Sequence, residues 1–499
     1  MLITLAAPAF AKEWYIEDGN ITVKAGDTKG TNKVSQGEST DVPDTDTVIT
    51  NREKNASSNT VTIEAKDKDD KVEVTLKDVN IDTSSRNKAA VSVTGEGDTN
   101  IKLNGDNALK SDIYRSGIYG SGSGSLTISG GENDSLTAQG GSGANGISSS
   151  GSLTISGGTV TANGDDGGRG ISSSGSVTIS GGSTVTANGG SGTISGGDGI
   201  WSGGGVTISG GSTVTANGGN GGSLVGGDGI RSGGGLTVSD GTVTAKGGNG
   251  DSKDGYGGDG IRSGGGVTIS GNTVNAAGGY GGKVGGYGIC SFDRVAISGG
   301  TVEAAGGNGS TGGGSGIYSS VIDLSGSLEL TAKAGSPNGK ALSQKGSELV
   351  LDTIKDKLGP GAKVTATDAD GKVIDQVSTP RPVEPEESSS SSDGGSATPS
   401  APASPLPGLT VTDKDGQRIS YTSTQSGNTL TVCVGRFTAS FRISLAALRQ
   451  LRAEGIETIA FQTILCSTTL SVDELLAMGG EDAEAVLTHR LTDSSLTVG

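Results

Sequence analysis

Trp201, Arg231 and Arg262 occupy the same place in three successive repeats, each directly after a Gly-Ile dipeptide. An indole ring stacks on a sugar ring, and a guanidinium group binds a carboxylate through two parallel hydrogen bonds. Together these side chains would form a strip that binds a sugar polymer carrying carboxylates. Asp228 and Asp259, three residues before the arginines, leave a second interpretation open, in which the arginines form surface salt bridges worth about 0 to 1 kcal/mol.

The residue after each Gly-Ile dipeptide defines an outer column that runs through the whole repeat region. Its members face outward at one position of successive coils if the repeats stack. The aromatic residues near its two ends, Tyr119 and Tyr318, are further candidates for ligand binding. In chain order the outer column reads Tyr119, Ser148, Ser172, Trp201, Arg231, Arg262, Cys290 and Tyr318.

Asp198, Asp228 and Asp259 form an acidic column, because each lies at the same place in the sequence Gly-Gly-Asp-Gly-Ile. Stacked like charges favour a bound cation or a basic neighbour, and calcium is the hard cation that carboxylates bind. The pattern departs from the Gly-Gly-x-Gly-x-Asp repeat of calcium-binding β-rolls, because Trp201, Arg231 or Arg262 stands at the final position. No cofactor is required in this interpretation; calcium at the acidic column is one prediction, and aspartates solvated in turns are the alternative.

Two further columns are polar. Asn163, Asn188 and Asn217 predict an amide ladder that fixes the register of adjacent coils. A Thr-x-Thr array begins at Thr159, Thr184, Thr213 and Thr242. It resembles the flat face of ice-binding β-helices, although threonine is favoured at exposed strand positions in general.

The elements that position these columns follow from the repeat itself. Gly-Ile recurs every 24 to 31 residues between Ile118 and Ile317, and a period of this length indicates a stacked repeat architecture. Apolar residues alternate within each period, as in Val177 and Ile179, which predicts three short strands separated by glycine turns. The sequence therefore predicts an all-β fold, a parallel β-helix whose coils lie about 4.8 Å apart.

The composition limits the classes of function. The chain has 93 glycines, 5 phenylalanines and 31% hydrophobic residues, which suffice for a core because each coil needs only a few inward side chains. A formal net charge of -17 and a pI near 4.6 argue against a nucleic acid or an anionic membrane as the partner. No stretch approaches the roughly 20 apolar residues of a membrane-spanning helix, so no transmembrane segment is expected.

The chain is predicted to contain five segments. Residues 1–11 look like the remnant of a secretory signal peptide, which places the protein outside the cell, and residues 12–117 form an N-terminal cap and the first coils. Residues 118–377 form the regular coils, and residues 378–408 a linker rich in Pro, Ser and Glu. Residues 409–499 form a small α+β domain.

The small domain shows a helix signal at Ser444, which can cap a helix that stops at Gly455. Strands are predicted over 429–434, 438–443 and 458–462. The lone His489 is expected to be exposed. Cys433 and Cys466 share this segment and leave a disulfide open, whereas Cys290 stands alone in the repeat region.

The early coils carry a resemblance to a known family. It rests on the succession of segments 72–81, 89–93, 100–107, 116–119 and 125–128. This succession resembles the bacterial cell-surface carbohydrate-binding domain-containing family of right-handed parallel β-helices, over about residues 20–350. The resemblance implies a pectate-lyase-like fold without catalysis, bound calcium, and plant cell-wall polysaccharides as ligands, either cellulose-like or polygalacturonate. The high glycine content and long turns such as Gly247 to Gly258 depart from it.

The residue inventory argues against an enzyme. The repeat region contains no histidine, and its paired carboxylates Asp165 and Asp166 lie in a glycine turn without a basic partner. The leading prediction is a secreted, non-catalytic, polysaccharide-binding surface protein. The alternatives are an adhesive or structural stalk that contacts protein or matrix, a pectate-lyase-like enzyme and an ice-binding protein. The sequence leaves the oligomeric state open.

Overall fold

The computed structural model describes residues 12–380 and, further on, residues 408–412, 418–419, 421–426, 428–434, 438–463, 467–480, 483–489 and 494–498. The chain forms two compact units, Met1–Pro385 and Glu386–Gly499. The first is a parallel β-solenoid of about 13 turns, and strands account for 53% of the chain. The predicted parallel β-helix is thereby confirmed.

Each regular coil contributes one strand to each of three parallel sheets. The first sheet contains the Gly-Ile isoleucines, and the second and third contain the two alternating apolar pairs that follow. The first sheet comprises Ile21–Ala25, Val61–Ala65, Val91–Gly95, Ile118–Gly120, Ile147–Ser149, Ile171–Ser173, Ile200–Ser202, Ile230–Ser232, Ile261–Ser263 and Leu342–Gln344. The second sheet comprises Lys12–Tyr15, Thr47–Thr50, Lys71–Lys77, Asp98–Asn104, Leu126–Ser129, Leu153–Ser156, Val177–Ser180, Val206–Ile208, Leu236–Val238 and Val267–Ile269.

The third sheet completes each coil. It comprises Asn80–Asp82, Asp106–Lys110, Ser135–Ser142, Thr159–Asp165, Thr184–Asn188, Ser212–Asn217, Gly241–Lys246, Thr273–Ala277 and Lys363–Thr367. Two long strands, Ile289–Ala305 and Ile317–Lys333, pass through all three sheets without interruption.

The core consists of columns of identical or similar side chains. The Gly-Ile isoleucines are fully buried, and Val185 and Ala187 pair in register with Val214 and Ala216 of the next coil. The alternation of apolar and polar residues places every second side chain inside, as the sequence predicted. Because each coil repeats the same inward residues, the narrow interior is filled by stacks of identical or similar side chains.

Antiparallel hairpins close both ends of the solenoid. At the start, Ile21–Ala25 pairs with Asn32–Gln36, which pairs in turn with Ser39–Asp44. At the other end, Lys363–Thr367 pairs with Val373–Ser378, beside the 3-10 helix Leu351–Lys357. A second 3-10 helix, Ile16–Asp18, follows the first strand, and Ser347–Glu348 pairs antiparallel with Leu342–Gln344.

The glycine-rich connections between the third sheet and the next Gly-Ile are ordered arms with an outgoing and a returning leg. Their backbones form one continuous ladder, in which each glycine N–H donates to the carbonyl of the preceding glycine at 2.8 to 3.0 Å. The ladder runs through Gly168, Gly190, Gly197, Gly219, Gly227, Gly248, Gly258, Gly279, Gly286, Gly307, Gly314 and Gly335. The expected glycine turns are therefore layers of hydrogen-bonded extended chain.

Close backbone approach explains why these arm positions are glycine. A Cβ atom on Gly227 would lie 1.9 Å from the carbonyl oxygen of Gly197. Gly227 has no positive φ, so the requirement comes from packing between backbones, as at the crowded axis of collagen. The many glycines therefore belong to a closely packed region of this fold.

Polar ladders fix the register between coils. The amide of Asn188 donates to Oδ1 of Asn163 at 2.8 Å, and that of Asn217 donates to Oδ1 of Asn188 at 2.9 Å. The predicted amide ladder is confirmed. The Thr-x-Thr array also lies in register on the outward face of the third sheet, with Thr184 beside Thr213.

The second unit contains two four-stranded sheets and two short helices. One sheet is antiparallel, with the order Leu409–Thr412, Ala439–Ser444, Glu484–His489 and Ser494–Val498. The other has the order Thr422–Ser426, Thr429–Cys433, Thr458–Gln462 and Ser467–Ser471, with a parallel central pair. The helices are Leu445–Ala453 and Val472–Ala477. None of the helices in the described parts of the chain is long and apolar enough to cross a lipid bilayer.

The second unit confirms one local prediction and corrects another. The Ser444 hydroxyl accepts a hydrogen bond from the Ala447 N–H and caps the predicted helix. The expectation that His489 is exposed was wrong. Its ring is fully buried, packs edge-on against Phe441 and shares a hydrogen bond with the Thr468 hydroxyl. Cys433 carries a free thiol, and Cys466 lies outside the described residues.

Candidate functional site

The outer column lies in register along the first sheet, as the sequence predicted. Trp201 is beside Arg231, Arg231 beside Arg262, and Arg262 beside Cys290, which pairs with Tyr318. Exposure differs along the column: Arg231 is exposed, Trp201, Arg262 and Tyr318 are half-buried, and Cys290 is buried. The glycine arms cover part of this face, so the column is not the uniformly exposed strip that the repeat suggests.

The acidic column is buried and hydrogen-bonded between coils. Oδ1 of Asp198 accepts the backbone N–H of Asp228 at 2.9 Å, and Oδ1 of Asp228 accepts that of Asp259 at 2.7 Å. Oδ1 of Asp259 accepts the N–H of Tyr287 at 2.7 Å. The interpretation of these residues as solvated turn aspartates was therefore wrong, because the ordered arms remove them from solvent.

The second oxygen of each buried aspartate faces an arginine. Oδ2 of Asp259 lies 3.2 Å from Arg262, and Oδ2 of Asp228 lies 3.9 Å from Arg231. Oδ2 of Asp198 lies 3.2 Å from Nε of Arg169, a residue that the sequence interpretation did not select. The sequence did contain a signal for Arg169, because this residue stands in Gly-Gly-Arg-Gly-Ile at the position that the aspartates occupy in the later repeats.

Burial changes the protonation of this cluster. Removal from water raises the pKa of Asp228 well above its ordinary value, and the neighbouring charges of Asp259 and Asp198 raise it further. Burial also raises the pKa of Asp259 to about 6, against the opposing effect of the Tyr287 N–H and Arg262. Burial alone would lower the pKa of Arg262, but the charges of Asp259 and Asp228 outweigh it and raise the pKa.

These residues line a groove of about 820 Å³. The groove crosses six successive coils and is bounded by the returning legs of the glycine arms, with backbone glycines between the side chains. Its polar and aromatic side chains are those of Asn145, Arg169, Ser195, Asp198, Asp228, Arg231, Tyr256, Asp259, Arg262 and Tyr287. The structure thus brings five of the eight predicted site residues into one groove and adds Arg169, Tyr256 and Tyr287.

The predicted aromatic residues lie next to this groove or apart from it. The Arg169 guanidinium stacks over the Trp201 ring at 4.5 Å, and Tyr318 stacks on Tyr287 with ring centroids 5.0 Å apart. Both contacts connect the outer column to residues that line the groove. Tyr119 instead lines a separate pocket of about 320 Å³ earlier in the solenoid.

The hydrogen bonds of the acidic column determine how many of its carboxylate oxygens could bind a calcium ion. A calcium ion takes six to eight oxygen ligands, whereas each buried aspartate uses Oδ1 for a backbone N–H and turns Oδ2 toward an arginine. Among the residues that the structure describes, no group of three or more His, Cys, Asp or Glu side chains is placed to hold a metal ion. The residues as arranged do not fit calcium, and its binding here stays a prediction that a chelator tests.

Comparison with protein-family models, curated proteins and solved structures gives no match to this chain. The class of protein that the structure defines is therefore a parallel β-solenoid with ordered glycine arms and a small second unit rich in strands. The resemblance to the carbohydrate-binding family is supported in its fold alone.

Proposed function

We propose that this chain is a secreted, non-catalytic protein that binds an extracellular polysaccharide in the groove. The observation that carries the proposal is a row of polar side chains along the six coils of the groove, with an arginine on three of these coils. Because coils are about 4.8 Å apart, a linear polymer lying along the stack meets a polar side chain at each coil. A chain of sugar residues has the matching property of repeating its own polar groups.

The charge balance of the groove favours a ligand with acidic groups. Arg169, Arg231 and Arg262 contribute three guanidinium groups to it. Arg169 and Arg262 are paired with Asp198 and Asp259, whereas burial favours the protonated form of Asp228, the carboxyl group next to Arg231. The groove is therefore less acidic than a chain with a net charge of -17 would suggest. Guanidinium groups bind carboxylates in two-point contacts, so polygalacturonate is the better of the two expected ligands, and neutral cellulose-like glucans the weaker.

Retention of the full chain on immobilised polygalacturonate and on insoluble cellulose tests the proposal, with calcium and with chelator. The variant Trp201→Ala/Arg231→Gln/Arg262→Gln should be retained more weakly than the unaltered protein. A matched control, Tyr280→Ala/Lys355→Gln/Lys372→Gln, removes one exposed aromatic ring and two exposed cations outside the groove. It should bind as the unaltered protein does.

The proposal fails if the unaltered chain is retained on neither glycan, or if both triple variants lose retention equally. Retention that requires calcium would support the calcium prediction for Asp198, Asp228 and Asp259. Release of soluble products from polygalacturonate would instead favour the enzymatic alternative. Circular dichroism of each variant establishes that the coils are intact.

A second candidate function, a surface stalk that contacts a partner protein, is favoured by apolar side chains on the glycine arms. Ile194 and Leu224 are 60% and 56% exposed, and the Leu224 N–H donates to the Ile194 carbonyl of the preceding coil. Adjacent exposed apolar residues are typical of protein contact surfaces. A double substitution, Ile194→Ser/Leu224→Ser, would weaken adhesion to protein surfaces and leave glycan retention unchanged if this candidate holds.

A further inference from the structure

The pocket around Tyr119 differs in charge from the rest of this acidic chain. Its lining residues are Thr60, Thr62, Asn87, Lys88, Ala89, Ser92, Arg115 and Tyr119. Two of these side chains are cations and none is a carboxylate. We infer that this basic pocket is a second binding site, separate from the groove, for an oxyanion-bearing ring of an acidic polysaccharide.

The floor of the basic pocket is a regular part of the first sheet. Thr62, Ser92 and Tyr119 lie side by side on three successive coils. Tyr119 is 43% exposed, so its ring offers a face on which a sugar ring can stack. The hydroxyls of Thr62 and Ser92 are half-buried next to it and add short hydrogen-bonding groups.

The cations come from two adjacent loops that the fold holds in place. The Thr83 hydroxyl donates to the Lys88 carbonyl at 2.7 Å, which fixes the loop that carries Lys88. The Nε–H of Arg115 donates to Oδ1 of Asn87 at 3.3 Å, which connects the second loop to the first. Both cations therefore line the pocket that also contains the Tyr119 ring.

In the part of the chain that the structure describes, neither cation is neutralised by an ion pair. Over the described ranges, no carboxylate lies within 4.0 Å of Lys88 or of Arg115, whereas Lys77, Lys102 and Lys110 all have such a partner. Asp112 lies near the pocket but accepts the backbone N–H of Asn87. Unpaired cations next to an exposed aromatic ring match a ring that carries a carboxylate or a sulfate.

The test measures binding calorimetrically in the full chain that already carries Trp201→Ala/Arg231→Gln/Arg262→Gln, so that the proposed groove does not contribute. The probes are an oligogalacturonate, its methyl ester, sulfated dextran and plain dextran. We expect binding of an acidic probe, weakened by salt, and no binding of the ester or of plain dextran. Binding of only the oligogalacturonate would show that the pocket recognises a carboxylate, and binding of only the sulfated dextran that it recognises a sulfate. Binding of both would show a general oxyanion site.

Substitutions then locate the binding. Lys88→Gln/Arg115→Gln should weaken it about a hundredfold or more, because the double substitution removes two charged hydrogen bonds. Lys88→Arg/Arg115→Lys should retain it, and so should the control Lys355→Gln/Lys372→Gln. Tyr119→Phe keeps the stacking face and should bind, whereas Tyr119→Ala should not.

Three results would overturn the inference: no acidic probe binds, the neutral probes bind as well as the acidic ones, or the Lys88/Arg115 pair has no effect. These results do not depend on whether the groove binds a polysaccharide. Failure of the groove appears as unaltered retention of the groove variant, and failure of the basic pocket as unaltered binding by the Lys88/Arg115 variant.

Discussion

Raising the pH from 4 to 7.5 should destabilise the solenoid through its buried aspartates. Asp259 ionises near its ordinary pKa of 3.8 in the unfolded chain and at a pKa of about 6 in the folded one. A pKa raised by folding contributes stability below the unfolded value and loses it as the pH rises through the folded value. The difference corresponds to about 3 kcal/mol, lost between about pH 4 and pH 7.

Asp259→Asn isolates this contribution. The amide keeps an oxygen that can accept the Tyr287 N–H, and the pKa of about 6 for the native carboxyl already includes the opposing effect of Arg262. The variant should therefore match the parent at pH 4, where the native carboxyl is protonated, and exceed its free energy of unfolding by about 3 kcal/mol at pH 7.5.

Denaturant unfolding followed by tryptophan fluorescence measures the effect in the full chain. The chain has two tryptophans, Trp14 and Trp201, and both lie in the solenoid, so the signal does not report on the second unit. Chelator excludes effects of a metal. Asp254→Asn, an exposed position on the same arm, should keep Asp259 and therefore show the same loss of stability between the two pH values as the parent. The reasoning is refuted if Asp259→Asn is less stable than the parent at pH 7.5.

Three further predictions concern other parts of the chain. Gly227→Ala should lower the free energy of unfolding by about 1 to 3 kcal/mol in the same assay, because its Cβ would lie 1.9 Å from a carbonyl oxygen. Gly266→Ala, whose Cβ would have its nearest contact at 3.5 Å, should change the free energy of unfolding little. Equal losses for the two variants would contradict the close backbone packing described for the arms. His489, the single histidine, should titrate in proton NMR below its ordinary pKa of 6.5, because burial disfavours the charged ring. The second unit should accordingly lose stability as the pH falls below about 6.5, and an ordinary pKa would show that the ring is not buried. Cys290 should resist iodoacetamide at pH 8 until the chain is unfolded, because burial raises the pKa of its thiol to about 12; rapid labelling of the native chain at Cys290 would exclude this packing.

The columns of the solenoid were predictable because a repeat converts sequence position directly into spatial position. The period placed Trp201, Arg231 and Arg262 on adjacent coils, and the alternation of apolar residues placed every second side chain inside. The Asn163 ladder followed from the same reasoning, since identical side chains one period apart must lie side by side. A periodic pattern of this kind depends only on local strand geometry.

The surroundings of the columns were not predictable in this way. The repeat period does not indicate that the glycine arms of successive coils hydrogen-bond to one another. This contact nevertheless buries Asp228 and raises its pKa. The same contact makes the wall that encloses the groove. Burial is a property of what packs against a residue, and here the packing partners are glycines whose own sequence resembles that of flexible turns.

The sequence by itself therefore determined the parallel β-solenoid, the register of its columns and the capped helix at Ser444, because each depends on a periodicity or on a cap that is local along the chain. Only the tertiary structure decided that the arms are ordered, that the acidic column and His489 are buried, and that Lys88 and Arg115 meet beside Tyr119. Each of these depends on contacts between segments whose approach no repeat encodes.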